Sequence, residues 1–424
     1  MAPSHPNNGT PVLAIVLDSP MNEFFPLIYV EAAAGVCLPL WVTLRDDAET
    51  ARYARILGRS GAVLDAHGLT AEQAAAAIGE HAPAGIVTFN EANVPWTAEV
   101  AELLELPYYS RRTAAQLADK LEQRAALRGH GLSTPGFWDV DALRHDAELL
   151  DEVAEAAAFP LVLKPRVGRA SRDMARVDTA ARLRELVAEP WPAPMMVEEF
   201  IPDPSQPVTG PGNGFYVSVE VLVSHGVVSA LGVTGRHPLV EPFREAGLFF
   251  PAEVSPELHD AMVETAVAAI RALGIDDGAL HVEIKATDAG PVVIEINPRP
   301  GGSTLPDLLR HALGIDIFQA TMRLSIGERL SYDGLPRPGD VGFSVYVLPP
   351  DGARVVTSVD GVEGLKAIPG VDAVVAKLGA GDEVDPEQGM LQYVALVSGT
   401  VPDHDARRRA REQILSQVVV TGAS

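Results

Sequence analysis

The hydrophobic pattern along the chain changes period several times, and each change marks a different kind of element. PVLAIVLD (11–18), VCLPLWVTL (36–44), GAVLDA (61–66) and AGIVTFN (84–90) are short, nearly continuous apolar runs. Runs of that kind predict strands buried on both faces. Residues 23–35, residues 47–59 and the alanine-rich AEQAAAAIGEHA separate them with helical patterning. Strand–helix alternation predicts a small open parallel sheet. TAAQLADKLEQRAALRGHGLSTP (113–135) carries a helical stripe through Leu117, Leu121 and Ala125, and Gly129 and Gly131 stop it.

From residue 159 the period shifts to two. FPLVLKPRVGRASRDMARV (159–177) predicts a strand, a basic loop and a second strand, and PMMVEEFIP (194–202) another strand. The Pro/Gly loop DPSQPVTGPGNG leads to FYVSVEVLV (215–223), where Glu220 shares a face with Ser218, and then to the strands of HGVVSALGVTGRHP. A helix is expected over 255–273. HVEIKATDAGPVVIEIN (281–297) then predicts a hairpin turning near Ala289. Val282 and Ile284 face one way, Glu283 and Lys285 the other; Val292, Ile294 and Ile296 oppose Val293, Glu295 and Asn297. The register sets Glu283 opposite Glu295. Like charges facing across a ladder destabilise it unless a cation lies between them. Two carboxylates and the Asn297 amide oxygen are hard ligands suited to a Mg²⁺ that also binds substrate phosphates. STLPDLLRHALG (303–314) reads as a helix. Past residue 335, VGFSVYVLPPDGARVVTSV predicts a hairpin and DARRRAREQILSQVV a helix whose arginines at 407–409 form a solvated face.

Several residues near these elements suit anion binding. Lys164 ends a buried strand, and Gly168, Ala170 and Ser171 leave backbone N–H groups free to meet phosphate oxygens. VTGRHPLVEPFREAGLFFPA (233–252) mixes charges around apolar residues, as a zwitterion requires, with Arg236 and Glu245 as candidates. Gly301 and Gly302 let backbone approach a ligand, and Ser303 begins a segment that could shape a pocket. His281 is expected to be a satisfied structural residue. In the N-terminal region no GxGxxG follows the first strand, so Asp18, Asn90 and Glu91 at strand ends are its candidates for substrate contact.

EIK followed by IEINPRPGG resembles the metal-binding end of an ATP-grasp ligase. The order Lys120, KPRVGRAS from Lys164, Glu198-Glu199-Phe200-Ile201, then EIK and EINPR is similar to that family over residues 110–320. The resemblance implies Lys120 and Lys164 on the phosphates and a mobile lid at Gly168 and Ser171. It implies adenine held at Glu198, Glu199, Phe200 and Ile201, and Glu220 near nucleotide or metal. Glu283, Glu295 and Asn297 become metal ligands, and Arg299 and Lys164 catalytic groups. The branch most alike joins a carboxylate to an amine, as L-amino-acid ligases do. It uses ATP with Mg²⁺, Mn²⁺ being an allowed substitute, and passes through an acyl phosphate to an amide or dipeptide, ADP and phosphate. Its fold is α/β and α+β: an N-terminal parallel domain (1–110), a two-lobed ATP-grasp domain (111–335, lid lobe about 135–200, antiparallel lobe about 201–335) and a small C-terminal α+β domain (336–424). A biotin-carboxylase-like or formate-activating enzyme and a non-catalytic ATP-binding module are the alternatives.

Composition narrows the partners. A chain of 424 residues can hold two or three domains. Its net charge of -24 repels nucleic acid and anionic membrane; the resemblance implies small-molecule carboxylate and amine substrates, amino acids among them, with a homodimer allowed. Cys37 is the only cysteine, which excludes an intrachain disulfide and fits a reducing cytoplasm. No run approaches the ~20 apolar residues of a membrane span, and MAPSHPNNGT lacks the basic and apolar parts of a signal peptide.

Overall fold

Four apolar runs form the first sheet. Val12–Leu17, Leu38–Thr43, Ala62–Asp65 and Gly85–Thr88 pair in parallel, in the spatial order third, second, first, fourth. Leu13 and Ile15 pack on one face with Trp41, Phe89 and Phe318, while Ala14 and Val16 pack on the other with Leu40, Val42 and Ile78. Ala62–Asp65, at the sheet edge, is largely exposed; burial on both faces is why the other strands carry no alternation. The computed structural model describes residues 9–17, 27–168, 173–206, 208–240, 244–332, 334–335, 338–385 and 391–423. Asp18 and Ser171 lie outside them.

The helix expected within 113–135, ending at Gly129 and Gly131, is two helices, Arg111–Ala118 and Lys120–Gly129. Asp119 is extended between them, and its carboxylate accepts from the N–H groups of Leu121 and Glu122 as an N-cap. The break puts Lys120 in the first turn of the second helix. Gln123 and Arg124 on that helix clamp an edge strand: Gln123 exchanges two hydrogen bonds with the Ile296 backbone, and Arg124 donates to the Ile294 carbonyl at 2.6 Å. These bonds close an edge that would otherwise be open to pairing.

A second sheet of Phe137–Asp139, Leu161–Pro165, Ala175–Val177 and Met195–Glu199 is antiparallel. The third sheet has eight strands. Along it lie Gly290–Asn297, Gly278–Thr287, Tyr216–Ser224, Val227–Arg236, Gly247–Phe250, Val341–Val347, Ala395–Val401 and Val371–Ala376. The helix Pro256–Ala272 covers one face through Met262, Ala266, Ala269 and Ile270. The helices Leu305–Leu313 and Ile317–Ser325 contribute Leu305, Leu308 and Leu324 to a separate core with Leu222, Leu231, Leu248 and Phe250.

Two expectations for the last ninety residues do not hold. The predicted hairpin is not one. Val341–Val347 joins the large sheet beside Gly247–Phe250, and Val355–Asp360 pairs with Val419–Ala423. Nor are residues 407–409 a uniformly solvated face. Arg407, on the helix His404–Gln417, is 1% exposed. Its guanidinium lies 3.8 Å from the Phe249 ring centroid and donates to Asn213 Oδ1 at 2.8 Å and Glu253 Oε2 at 3.3 Å. Truncating one partner of a buried charge network leaves the other uncompensated. Arg407→Ala should therefore lower the unfolding free energy by about 3 kcal/mol, while Arg409→Ala, at an exposed position, should stay within about 0.5 kcal/mol. Urea denaturation of the two variants checks both values.

Candidate active site

The central hairpin brings its acids together, Glu283 pairing directly with Glu295 and His281 with Asn297, although the turn at Thr287 and Gly290 would by itself set Glu283 opposite Ile294. A bulge follows, so that Ile284 pairs with Val293. Strict alternation placed Ile294 with the core. The bulge instead sends Val293 into the core with Ile296 and turns Ile294 into a cavity wall.

That cavity, about 710 Å³, lies between the second and third sheets. From the smaller sheet come Val162, Lys164 and Glu198, and from the segments flanking its strands Gly168, Met174, Phe200 and Ile201. From the larger sheet come Tyr216, Arg236, Leu248, Glu283, Lys285, Glu295 and Asn297, and Lys120, Arg299, Gly302 and Ser303 enter from helix and loops.

Lys120 Nζ donates to the Gly168 carbonyl at 2.7 Å and pairs with Glu295 Oε1 at 2.9 Å. Lys164 Nζ lies 2.5 Å from Glu198 Oε1, and Arg124 Nε 3.0 Å from Glu198 Oε2. Burial alone would raise the Glu198 carboxyl, but Arg124 and Lys164 outweigh it and hold its pKa at about 2. The Glu198 side chain is thus a counter-ion beneath Lys164. Glu199 accepts from the N–H groups of Gly136 and Ala158, so its side chain fixes the two loops beside it. Phe200 lies under the ammonium of Lys285, 4.0 Å from its centroid, and Lys285 also donates to the Ile201 carbonyl. Lys285 was legible only as a neighbour of Glu283 on the same strand face.

Because the folded pKa of Glu198 lies below the ordinary 4.5, its contribution to stability is complete above that value and fades as the pH falls toward 2. Glu198→Gln should lower stability at neutral pH by about 3 kcal/mol and flatten the acid limb of the stability profile between those values. Denaturation at a series of pH values measures both.

Behind the facing acids lies a second charged row. His281 Nδ1 is 2.9 Å from Glu220 Oε2 and its Nε2 is 3.4 Å from Glu283 Oε1. Burial would lower the imidazole pKa, but Glu220 and Glu283 raise it to about 9. Glu283 is likewise pushed up by burial and drawn down, to about 2, by His281, Arg236 and Arg299. Glu220, expected at the nucleotide or metal, lies instead outside the cavity wall, 2% exposed, bonded to His281 and Thr234. Gly301 does not line the cavity either. A Cβ there would stand 2.2 Å from Leu305 and 2.8 Å from His281 Nδ1, so packing alone explains the glycine. Ser303 Oγ hydrogen-bonds the Tyr346 hydroxyl, and Tyr216 Oη donates to Glu245 at 3.1 Å. Arg299 Nε donates to Glu91 Oε2, so one of the three N-terminal candidates meets the site through a salt bridge. Asn90 instead caps its own turn by accepting from Ala92 N–H.

Among the described residues no three His, Cys, Asp or Glu side chains gather as a metal centre. Two carboxylates and an amide oxygen leave coordination positions for phosphate oxygens and water, which is the donor set a phosphate-bound Mg²⁺ takes. The residues present fit that ion.

The family description of an ATP-grasp domain matches residues 157–307, a span that holds Lys164, the 195–201 segment, both facing acids and Arg299. The chain carries an ATP-grasp domain. Over its whole length the fold is that of an L-amino acid ligase from Bacillus licheniformis, with a TM-score of 0.76 at 23% identity, covering 98% of this chain and 99% of that one. In sequence, an uncharacterised protein of Sinorhizobium fredii is 28% identical over 68% of this chain and 58% of its own length. Carnosine synthase 1 of Homo sapiens is 29% identical over 42% of this chain and 20% of its own length. The chain thus spans less than two thirds of either relative. Lys164 and both facing acids, from the matched span, line one cavity with Lys120, which precedes it. No described helix is long and apolar enough to cross a membrane.

Proposed function

We propose that this protein is an ATP-dependent carboxylate–amine ligase that forms an amide or dipeptide and releases ADP and phosphate. The observation that carries the reading is the direct pairing of Glu283 with Glu295 in a cavity that also holds Lys120, Lys164 and Arg299. Such a set suits a nucleoside triphosphate beside an acid that must be activated. A carboxylate resists amines because its leaving group is poor. A carboxylate oxygen attacks the γ-phosphorus, the bond to the bridging oxygen breaks, and ADP leaves; the product is an acyl phosphate. A deprotonated amine then adds to the acyl carbon, and inorganic phosphate departs with the electron pair.

Each residue has a part in this scheme. Lys120 and Lys164 orient and neutralise phosphate oxygens. Arg299 stabilises the oxyanion of the tetrahedral adduct. Mg²⁺, held by Glu283, Glu295 and Asn297, would neutralise the β and γ oxygens when bound. Phe200 and Ile201 supply an apolar wall for adenine, and Gly168 belongs to the loop that covers the phosphates. Kinship with proteins named as an L-amino acid ligase and a carnosine synthase supports amino acids as the substrates.

The test is a phosphate-release screen with ATP, Mg²⁺ and amino acids singly and in pairs, followed by mass spectrometry of the product. A pair-dependent signal with a mass equal to the sum of the two acids less water is expected. ADP release that needs bicarbonate and no amine would replace the ligase with a carboxylase. ATP binding with no turnover for any acid or amine would leave a nucleotide-binding module.

A further inference from the structure

Arg236 has hydrogen-bonding capacity that its neighbours do not use. It ends the strand Val227–Arg236, is 3% exposed, and lines the cavity. Among the described residues its Nη2 donates to Ser218 Oγ at 3.2 Å and lies 3.1 Å from His281 Nε2, which accepts from it only when the imidazole is neutral. The buried Nε has no hydrogen-bond partner among them. Glu245 Oε1 is 4.0 Å from Nε, beyond hydrogen-bond reach, and already accepts from Tyr216 Oη. A buried guanidinium with unused donors is costly unless an acceptor reaches it. The same cavity is also lined by the apolar residues Pro238, Leu239, Leu248 and Leu391. Of these, Leu239 and Leu391 are 42% and 37% exposed.

We propose that Arg236 binds a second substrate carboxylate, one that is not activated, while the leucines beside it take the apolar part of the same molecule. This rests on the ligase reading, in which the activated carboxylate must lie at the facing acids and Arg299. The carboxylate at Arg236 keeps its charge through the reaction. It has two possible sources, the α-carboxylate of the amine substrate or a side-chain carboxylate of the acid being activated. A guanidinium fork recognises either in the same way.

Binding measurements separate the sources without requiring turnover. The full chain, loaded with Mg²⁺ and a non-hydrolysable ATP analogue, is titrated calorimetrically with L-leucine and L-leucinamide, then with L-glutamate and L-glutamine. Loss of a charge-assisted pair should weaken binding by about tenfold or more. Leucine favoured over leucinamide by that factor assigns the carboxylate to the amine substrate. Glutamate favoured over glutamine, with the leucine pair equal, assigns it to the acid. The preference should vanish in Arg236→Met and partly return in Arg236→Lys; the wild-type ligand series stands if those variants fail to fold. Equal binding within both pairs, no binding of any of the four, or a preference that survives in Arg236→Met would overturn the proposal. A chain that binds leucine through its carboxylate yet never releases phosphate would sink the ligase reading and leave this one standing. In a working ligase, a KM for amidated substrates no higher than for the free acids would do the reverse.

Discussion

Glu295→Ala should reduce substrate-dependent ADP release by about a thousandfold or more at saturating ATP and Mg²⁺, roughly 4 kcal/mol of transition-state stabilisation. Two losses combine in that figure. One of the facing acids disappears, so the hard-ligand set falls to Glu283 and Asn297. The counter-charge that holds Lys120 at 2.9 Å disappears as well, and the ammonium is left tied only to the Gly168 carbonyl. Stability without nucleotide should change little, because the substitution also removes a like-charge contact across the ladder. The thermal stabilisation that Mg²⁺ and ATP confer on the wild type should be largely lost. That pairing separates a ligand role from a structural one: a structural acid would weaken the apoprotein and leave the nucleotide-dependent shift intact. Near-normal turnover in Glu295→Ala would remove the metal assignment and with it the reason for the facing acids.

What the sequence made legible here is what local chemistry controls. The ATDAG signal gives the hairpin, and a turn centred on Ala289 sets Glu283 opposite Glu295; the actual turn pairs Thr287 with Gly290, so the acids face each other only because a bulge shifts the register by one residue. The bulge at Ile294 does not follow from counting. At the bulge Arg124, from a separate helix, donates to the Ile294 carbonyl, a contact that no local pattern shows. Asp119 followed three residues later by Glu122 is a helix-start signal even inside a periodic stretch, and it marks the break between the two helices.

The elements that departed from expectation share one cause, a partner far away in sequence. Arg407 reads as a surface arginine in ARRRAR because nothing nearby shows that Phe249 and Asn213 will enclose it. Val341–Val347 and Val355–Asp360 carry strand and turn signals suited to a hairpin, yet each finds a better-buried neighbour elsewhere. Glu198 sits in a segment that resembles an adenine hinge, while its carboxylate answers to Arg124 and Lys164 from two other elements. Local pattern sets the type of an element. The partners of a charged side chain are set by the fold.

Arg299→Ala should lower kcat by about 10²- to 10³-fold with little change in the KM for ATP. The guanidinium lies in the cavity wall two residues beyond Asn297 and is held there by Glu91, a residue of the N-terminal region. A group placed this way acts on charge that develops during reaction, and such charge is absent from bound ATP. Arg299→Lys should recover little, because an ammonium cannot reproduce the planar fork that reaches both Glu91 and an oxyanion. Glu91→Gln offers an independent check. It leaves the guanidinium in place but loosens its anchor, so kcat should fall less than in Arg299→Ala, and the double variant should be no worse than Arg299→Ala alone. Steady-state kinetics on the wild type and the four variants decides the matter. A raised KM for ATP with kcat preserved would make Arg299 a nucleotide-binding residue instead.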